Sequence, residues 1–141
     1  MFTGVWTTWL TLDEKDKIPD DWEVREQRRL ETMTIEELMR ESYDTAVKKG
    51  WWKEKRNFAE LIALCHSELS EVLEEYRNHE APANIYYDKD GKPCGIPIEV
   101  ADLLIRVFDL CEAYKIPLEE ALRIKMAYNQ TRPFRHGNKK A

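Results

Sequence analysis

The stretch PIEVADLLIRVFDLCEAY, residues 97–114, decides the fold. Val100, Leu103, Val107, Leu110 and Tyr114 make one apolar line at helical spacing, and Ala101, Leu104, Ile105, Phe108 and Cys111 widen it. Nearly the whole circumference is apolar, and a helix of that kind is normally buried. A single line breaks the pattern: Glu99, Asp102, Arg106 and Asp109, at spacing 3-4-3. An isolated buried charge costs several kcal/mol, so such charges must pair with one another or hold a cation. Both outcomes stay open here: an ion-pair network through Arg106, or a cation site.

The helix before it carries a matching feature. In HSELSEVLEEYR, residues 66–77, four glutamates fall on one helix: Glu68, Glu71, Glu74 and Glu75. Phe58, Ile62, Cys65, Leu69, Val72 and Tyr76 follow a 4-3-4-3-4 spacing, which predicts the core seam. One residue back, Leu61, Leu64, Glu68, Glu71 and Glu75 continue at 3-4-3-4 on the shoulder of that seam. Glu74 points elsewhere, toward solvent. For Glu68 and Glu71 alone a solvated face is the ordinary reading. For Glu99 and Asp102 the apolar surroundings argue against it. Two helices that each bring carboxylates at i and i+3 can converge four oxygen donors. Such a set suits Mg2+ or Mn2+, and the lack of fitting His and Cys neighbours disfavours zinc. His66, beside this line, reads as structural.

Working outward, Thr34 and Glu37 make a capping box that opens a first helix, and Gly50 is placed to end it. Asn57 caps the second helix, which runs to about Arg77. Residues 78–96 hold the turn signal Asp-Lys-Asp-Gly and two prolines, a loop with room for a small hairpin. Pro97 opens the third helix and Pro117 the fourth, which fades near Asn129. The expected fold is all-α, a four-helix bundle. Residues 1–33 form an N-terminal extension, with a turn at Pro19-Asp20-Asp21 and a short helix in WEVREQRRLE; Trp6 and Trp9 are expected to pack against the body or a partner subunit. Residues 34–132 form the helical domain and 133–141 a polar tail.

The 141 residues suit one domain with its own core. Hydrophobic residues at 43% indicate a globular chain, and a net charge of −5 argues against binding a nucleic-acid polymer. A small anionic substrate is compatible with that charge if bound cations neutralise it. Cys65, Cys94 and Cys111 lack C-x-x-C spacing; Cys65 and Cys111 fall in apolar patterns and read as reduced core residues of a cytoplasmic protein. The N-terminus lacks a signal-peptide pattern, and no segment approaches a membrane span.

The pattern E-x-x-E in ELSE (Glu68, Glu71), a connector of 27 residues, then E-x-x-D in EVAD (Glu99, Asp102) resembles the MazG-like all-α nucleoside triphosphate pyrophosphohydrolases. PLEEALRIKMAYNQTRPFRHG also looks like that family's last helix, so the resemblance covers roughly residues 34–137. One departure is visible: many members carry a further Glu directly before the first motif Glu, and Ser67 stands there in this chain.

The resemblance implies hydrolysis of a nucleoside triphosphate between its α and β phosphates. It implies Mg2+ (or Mn2+) held by Glu68, Glu71, Glu99 and Asp102, which double as the catalytic residues. Lys125, Asn129 and Arg132, at spacing 4-3 along the fourth helix, have two readings, a solvated basic helix end or phosphate contacts; the likeness of K-x-x-x-N-x-x-R favours the second. Trp51 and Trp52 can stack a base or pack over the bundle. Packing is the more common fate, and Trp52 stays among the candidate substrate-binding residues. The apolar surface of the third helix calls for extra cover, so a homodimer or homotetramer is expected. A phosphoribosyl-ATP pyrophosphohydrolase would share the carboxylate layout. A non-catalytic helical adaptor, with the charges as a structural network, is the rival of another class.

Overall fold

The computed structural model describes residues 22–78 and 80–133. Trp6, Trp9, the turn at Pro19-Asp20-Asp21, His79 and the tail from residue 134 lie outside the described residues. The chain divides into two units between Thr34 and Ile35. In the first, α1 spans Trp22–Glu31, the short helix that the sequence predicts. Arg29 pairs with Glu26 one turn back and holds that carboxyl below the usual range.

Among the described residues the second unit is helical apart from one small hairpin and the connecting loops. Its elements are α2 (Ile35–Lys48), α3 (Phe58–Arg77), β1 (Tyr86–Tyr87), β2 (Pro93–Cys94), α4 (Ile96–Ala113) and α5 (Leu118–Thr131). Their ends follow local chemistry. Gly50, at φ +85°, ends α2 with the paired bonds of a left-handed cap: Trp51 N–H to the Ala46 carbonyl and Gly50 N–H to that of Val47, each 3.0 Å. The Asn57 side chain accepts from the Ala59 N–H at 2.8 Å and starts α3. Pro97 sits in the first turn of α4, and Pro117 immediately precedes α5.

Residue pairs fix the direction of the central helices. Phe58 stacks edge-on against Tyr114 with centroids 4.9 Å apart, and Glu68 meets Arg106, so numbers rise on α3 as they fall on α4. The pair is antiparallel. α4 packs along both α3 and α2, which scarcely meet each other, while α5 packs chiefly on α2. Within this unit the described helices thus neighbour one another in the order α3, α4, α2, α5.

The core differs from the expected one. Met39, Leu61, Leu110 and Cys111 are the buried hydrophobics among the described residues. The predicted seam of α3 faces outward instead, with Leu69 at 53% and Tyr76 at 63% exposure, while Glu68 on its shoulder is buried. On α4 the charged line is turned inward and Val100, Leu104 and Ile105 are exposed. At this contact the Arg106–Glu68 ion pair joins the charged lines of α3 and α4, and part of both apolar faces stands on the exposed side. Cys65 is half-buried, Cys111 is buried, and both thiols are free and raised by burial. No helix among the described residues is long and apolar enough to cross a membrane.

Candidate functional site

The facing lines of α3 and α4 bring acidic side chains together. Carboxylate oxygens of Glu68, Glu71 and Glu99 all lie within 4.8 Å of one another. Glu68 and Glu99 are buried, at 6% and 8% exposure, while Glu71 is exposed at the mouth. Asp102 is half-buried one turn further along α4. Burial, then the charges of Glu71 and Asp102, push the Glu99 carboxyl above its ordinary range. Burial, then the charge of Glu68, push Asp102 upward as well. These carboxyls are short of positive charge.

Two cations offset part of that shortage. Arg106 donates from Nε to Glu68 Oε1 in a close ion pair. Lys92, just before β2, lowers both Glu99 and Asp102 by its charge, yet forms no ion pair among the described residues. Sequence reasoning passed over Lys92 because it lies in the Asp-Lys-Asp-Gly-Lys turn, 7 residues before Glu99. Its placement comes from the hairpin. The Asp88 side chain accepts from the Asp90 and Lys92 N–H groups at 2.8 and 2.9 Å. The Tyr86 hydroxyl donates to Glu75 at 3.1 Å, tying the hairpin to α3, and this bond to an anion helps push the phenol up to about 12. Gly95 fixes the other end. At φ +110° a Cβ there would lie 2.4 Å from the Asn84 carbonyl oxygen, so only glycine lets the loop pass this close to the start of α4.

The other candidates sit apart from this cluster. The Trp52 indole N–H donates to Asp109 at 2.8 Å, and its ring tilts against Tyr43 at 5.5 Å. Burial raises the Asp109 carboxyl and the Trp52 bond counters it, so the lower end of the α4 line is held by an indole. Trp51 is exposed beneath the Arg56 guanidinium. Lys125 on α5 and Arg132 just past its end lie over the Tyr128 ring at 5.2 and 5.8 Å, and Asn129 is exposed. No hydrogen bond or ion pair among the described residues links these three to the carboxylates. Glu74 is exposed beside Arg77, as its helical position predicts.

Chemically, the arrangement is a set of hard oxygen donors on two neighbouring helices, with one paired arginine and one unpaired lysine at its edge. It suits a divalent cation of the Mg2+ or Mn2+ kind and offers no nitrogen or sulfur ligand. No protein-family model, curated protein or solved structure matches the chain.

Proposed function

We propose that the chain is a Mg2+- or Mn2+-dependent nucleoside triphosphate pyrophosphohydrolase, releasing monophosphate and pyrophosphate. The observation that carries this reading is the convergence of Glu68, Glu71 and Glu99 within 4.8 Å at the α3–α4 contact, with two of the three buried. The order E-x-x-E then E-x-x-D, in which the family resemblance resides, supports it.

The donor chemistry fits the ion: carboxylates from two helices, short of compensating charge, with Asp102 adjacent. Glu68, Glu71, Glu99 and Asp102 would hold a divalent cation, which would neutralise the triphosphate and make a bound water more acidic. The chain's own residues do the rest. Arg106 fixes Glu68 and limits repulsion among the carboxylates. Burial and the neighbouring carboxylates raise Glu99 and Asp102 while no cation fully neutralises them, which is the charge shortage a divalent ion would relieve. Lys92 is free to meet a phosphate oxygen beyond the acidic cluster. Lys125, Asn129 and Arg132, at the end of the helix that packs chiefly on α2, are phosphate contacts by the resemblance only, and Trp52, bonded to Asp109 and packed on Tyr43, is taken as a packing residue. The setting is cytoplasmic.

A second reading has one specific observation in its favour. The Arg106–Glu68 pair is what a structural charge network in a non-catalytic adaptor would contain. The two readings part on a simple experiment: a panel of nucleotides with Mg2+, followed by pyrophosphate release. Asp102→Asn is expected to lower the rate by at least about a hundredfold, on the scale of other lost electrostatic groups. Glu74→Gln should leave it unchanged. Equal rates in the two variants, or inactivity toward every nucleotide, favour the adaptor.

A further inference from the structure

The Arg106 guanidinium is bonded to the carboxylate cluster, yet it uses little of its donor capacity. An arginine offers five N–H groups in a rigid fork. In the pairs made by Arg29, Arg56, Arg77 and Arg123, an Nη group reaches the glutamate. Arg106 differs. Its contact with Glu68 runs through Nε, and neither Nη bonds to any other of the described residues. Acceptors stand close by. Asp102 and Asp109 flank it on α4 at i−4 and i+3, but neither accepts a bond from it, and Asp109 is bonded to Trp52 instead. The Glu68 side chain is 8% exposed and that of Arg106 35%, so the guanidinium is anchored on a buried group and still reachable from solvent.

We propose that Arg106 is a catalytic residue of this cluster, whose free Nη edge binds oxygens of the substrate's phosphate chain while Nε stays on Glu68. This role rests on the proposed reaction and adds a residue to it. Two parallel N–H donors match a phosphate group, and charge-assisted bonds of that kind are the strong ones. The anchor on Glu68 sets the guanidinium before any anion arrives, so little reorganisation is needed at the moment of binding. Charge balance asks for such a group. Glu68, Glu71, Glu99 and Asp102 carry up to four negative charges, of which one divalent cation offsets two, and a triphosphate brings more. The other cations are placed less well. Lys92 is an exposed point charge on a hairpin, and Lys125 and Arg132 lie over the Tyr128 ring. Arg106 stands on a helix, in contact with a proposed ligand. It binds and neutralises, and it neither gains nor loses a proton.

Arg106→Lys separates this role from a structural one, because lysine keeps the charge beside Glu68 and loses the fork. Its melting temperature should stay within about 2 °C of wild type. Calorimetry should show Mg2+ affinity unchanged within about twofold, since the partner of Glu68 remains cationic. Inorganic pyrophosphate at saturating Mg2+ should bind about tenfold more weakly, and kcat/KM for nucleotide should fall at least about tenfold, the worth of one charge-assisted contact. Arg77→Lys, in an exposed Arg–Glu pair outside the cluster, should change none of these. If Arg106→Lys does not fold, Arg106→Gln takes its place; it can still donate to Glu68 and should lose more pyrophosphate affinity. A loss that lies wholly in Mg2+ affinity overturns the proposal, since Arg106 then only holds Glu68. Pyrophosphate affinity and kcat/KM equal to wild type overturn it too, and leave the proposed reaction standing. A wild-type chain inactive on every nucleotide sinks the reaction instead, and Arg106-dependent pyrophosphate binding would then still support the phosphate contact.

Discussion

Replacing Arg106 with methionine tests the charge balance of the site most directly. The substitution keeps an unbranched side chain and removes the cation paired with Glu68. Breaking a buried pair by deleting one partner costs about 3–5 kcal/mol. Here Glu68 is buried but the Arg106 side chain keeps 35% of its exposure, so solvent screening reduces the expected loss to about 2 kcal/mol. For a helical unit of this size that is roughly a 10 °C fall in melting temperature. Saturating Mg2+ should shrink the gap between variant and wild type, because a cation bound to the carboxylates replaces the missing charge and stabilises the native state by mass action. Thermal melts at one fixed protein concentration, with and without Mg2+, measure both quantities. An equal loss under the two conditions would refute the idea that Glu68 faces a shared cation. No loss in either would reduce the Arg106–Glu68 pair to a surface contact.

Other expectations follow from the same geometry. Glu99 and Asp102 have native values raised above their unfolded ones, so between the two values the native state binds more protons than the unfolded chain. Their contribution to metal-free stability should therefore rise as pH falls through that window, while the Mg2+-dependent gain shrinks because the ligands must be deprotonated. Melting of wild type against Glu99→Gln across pH reads both trends, and parallel curves would contradict them. Lys92→Gln should raise the KM for nucleotide about tenfold, the worth of one charge-assisted contact, with kcat nearly unchanged and metal affinity equal or tighter. Weakened metal binding would show that Lys92 supports the carboxylates instead. Trp52→Phe removes the bond to Asp109 and should cost about 1–2 kcal/mol in denaturant unfolding. A large rise in KM with unchanged stability would instead mark the indole as a base contact.

Much of the fold was legible because its signals are local. Asn57, Gly50, Pro97 and Pro117 punctuate the chain through hydrogen bonds and φ values set within a few residues. Glu99 was legible for another reason: a carboxylate on an otherwise apolar helix needs explaining wherever the chain folds. What periodicity could not decide is which of two adjacent stripes on α3 turns inward. The Phe58–Tyr76 seam and the Leu61–Glu75 line share one period and differ by a single residue in phase. The stripe that turns inward carries Glu68, whose partner Arg106 lies 38 residues away, and no local pattern reports that contact. The same limit hid Lys92, carried to the site by a hairpin closed through Tyr86 and Glu75. It hid the Trp52–Asp109 bond as well, whose partners stand 57 residues apart.

The hairpin has a further consequence for how this chain tolerates change in length. Its base is locked, since Gly95 admits no side chain against Asn84 and Tyr86 is moored to α3. Its tip is open: Gly91 has nothing within 4 Å of where a Cβ would stand. Extra residues inserted at the tip would extend into solvent without moving Glu99, whereas one residue added between Pro93 and Gly95 would rotate the start of α4 and every carboxylate on it. Length variation is therefore confined to the tip at Gly91, where it would move Lys92, placed by the Asp88 bonds of that turn, and leave Glu99 where it is.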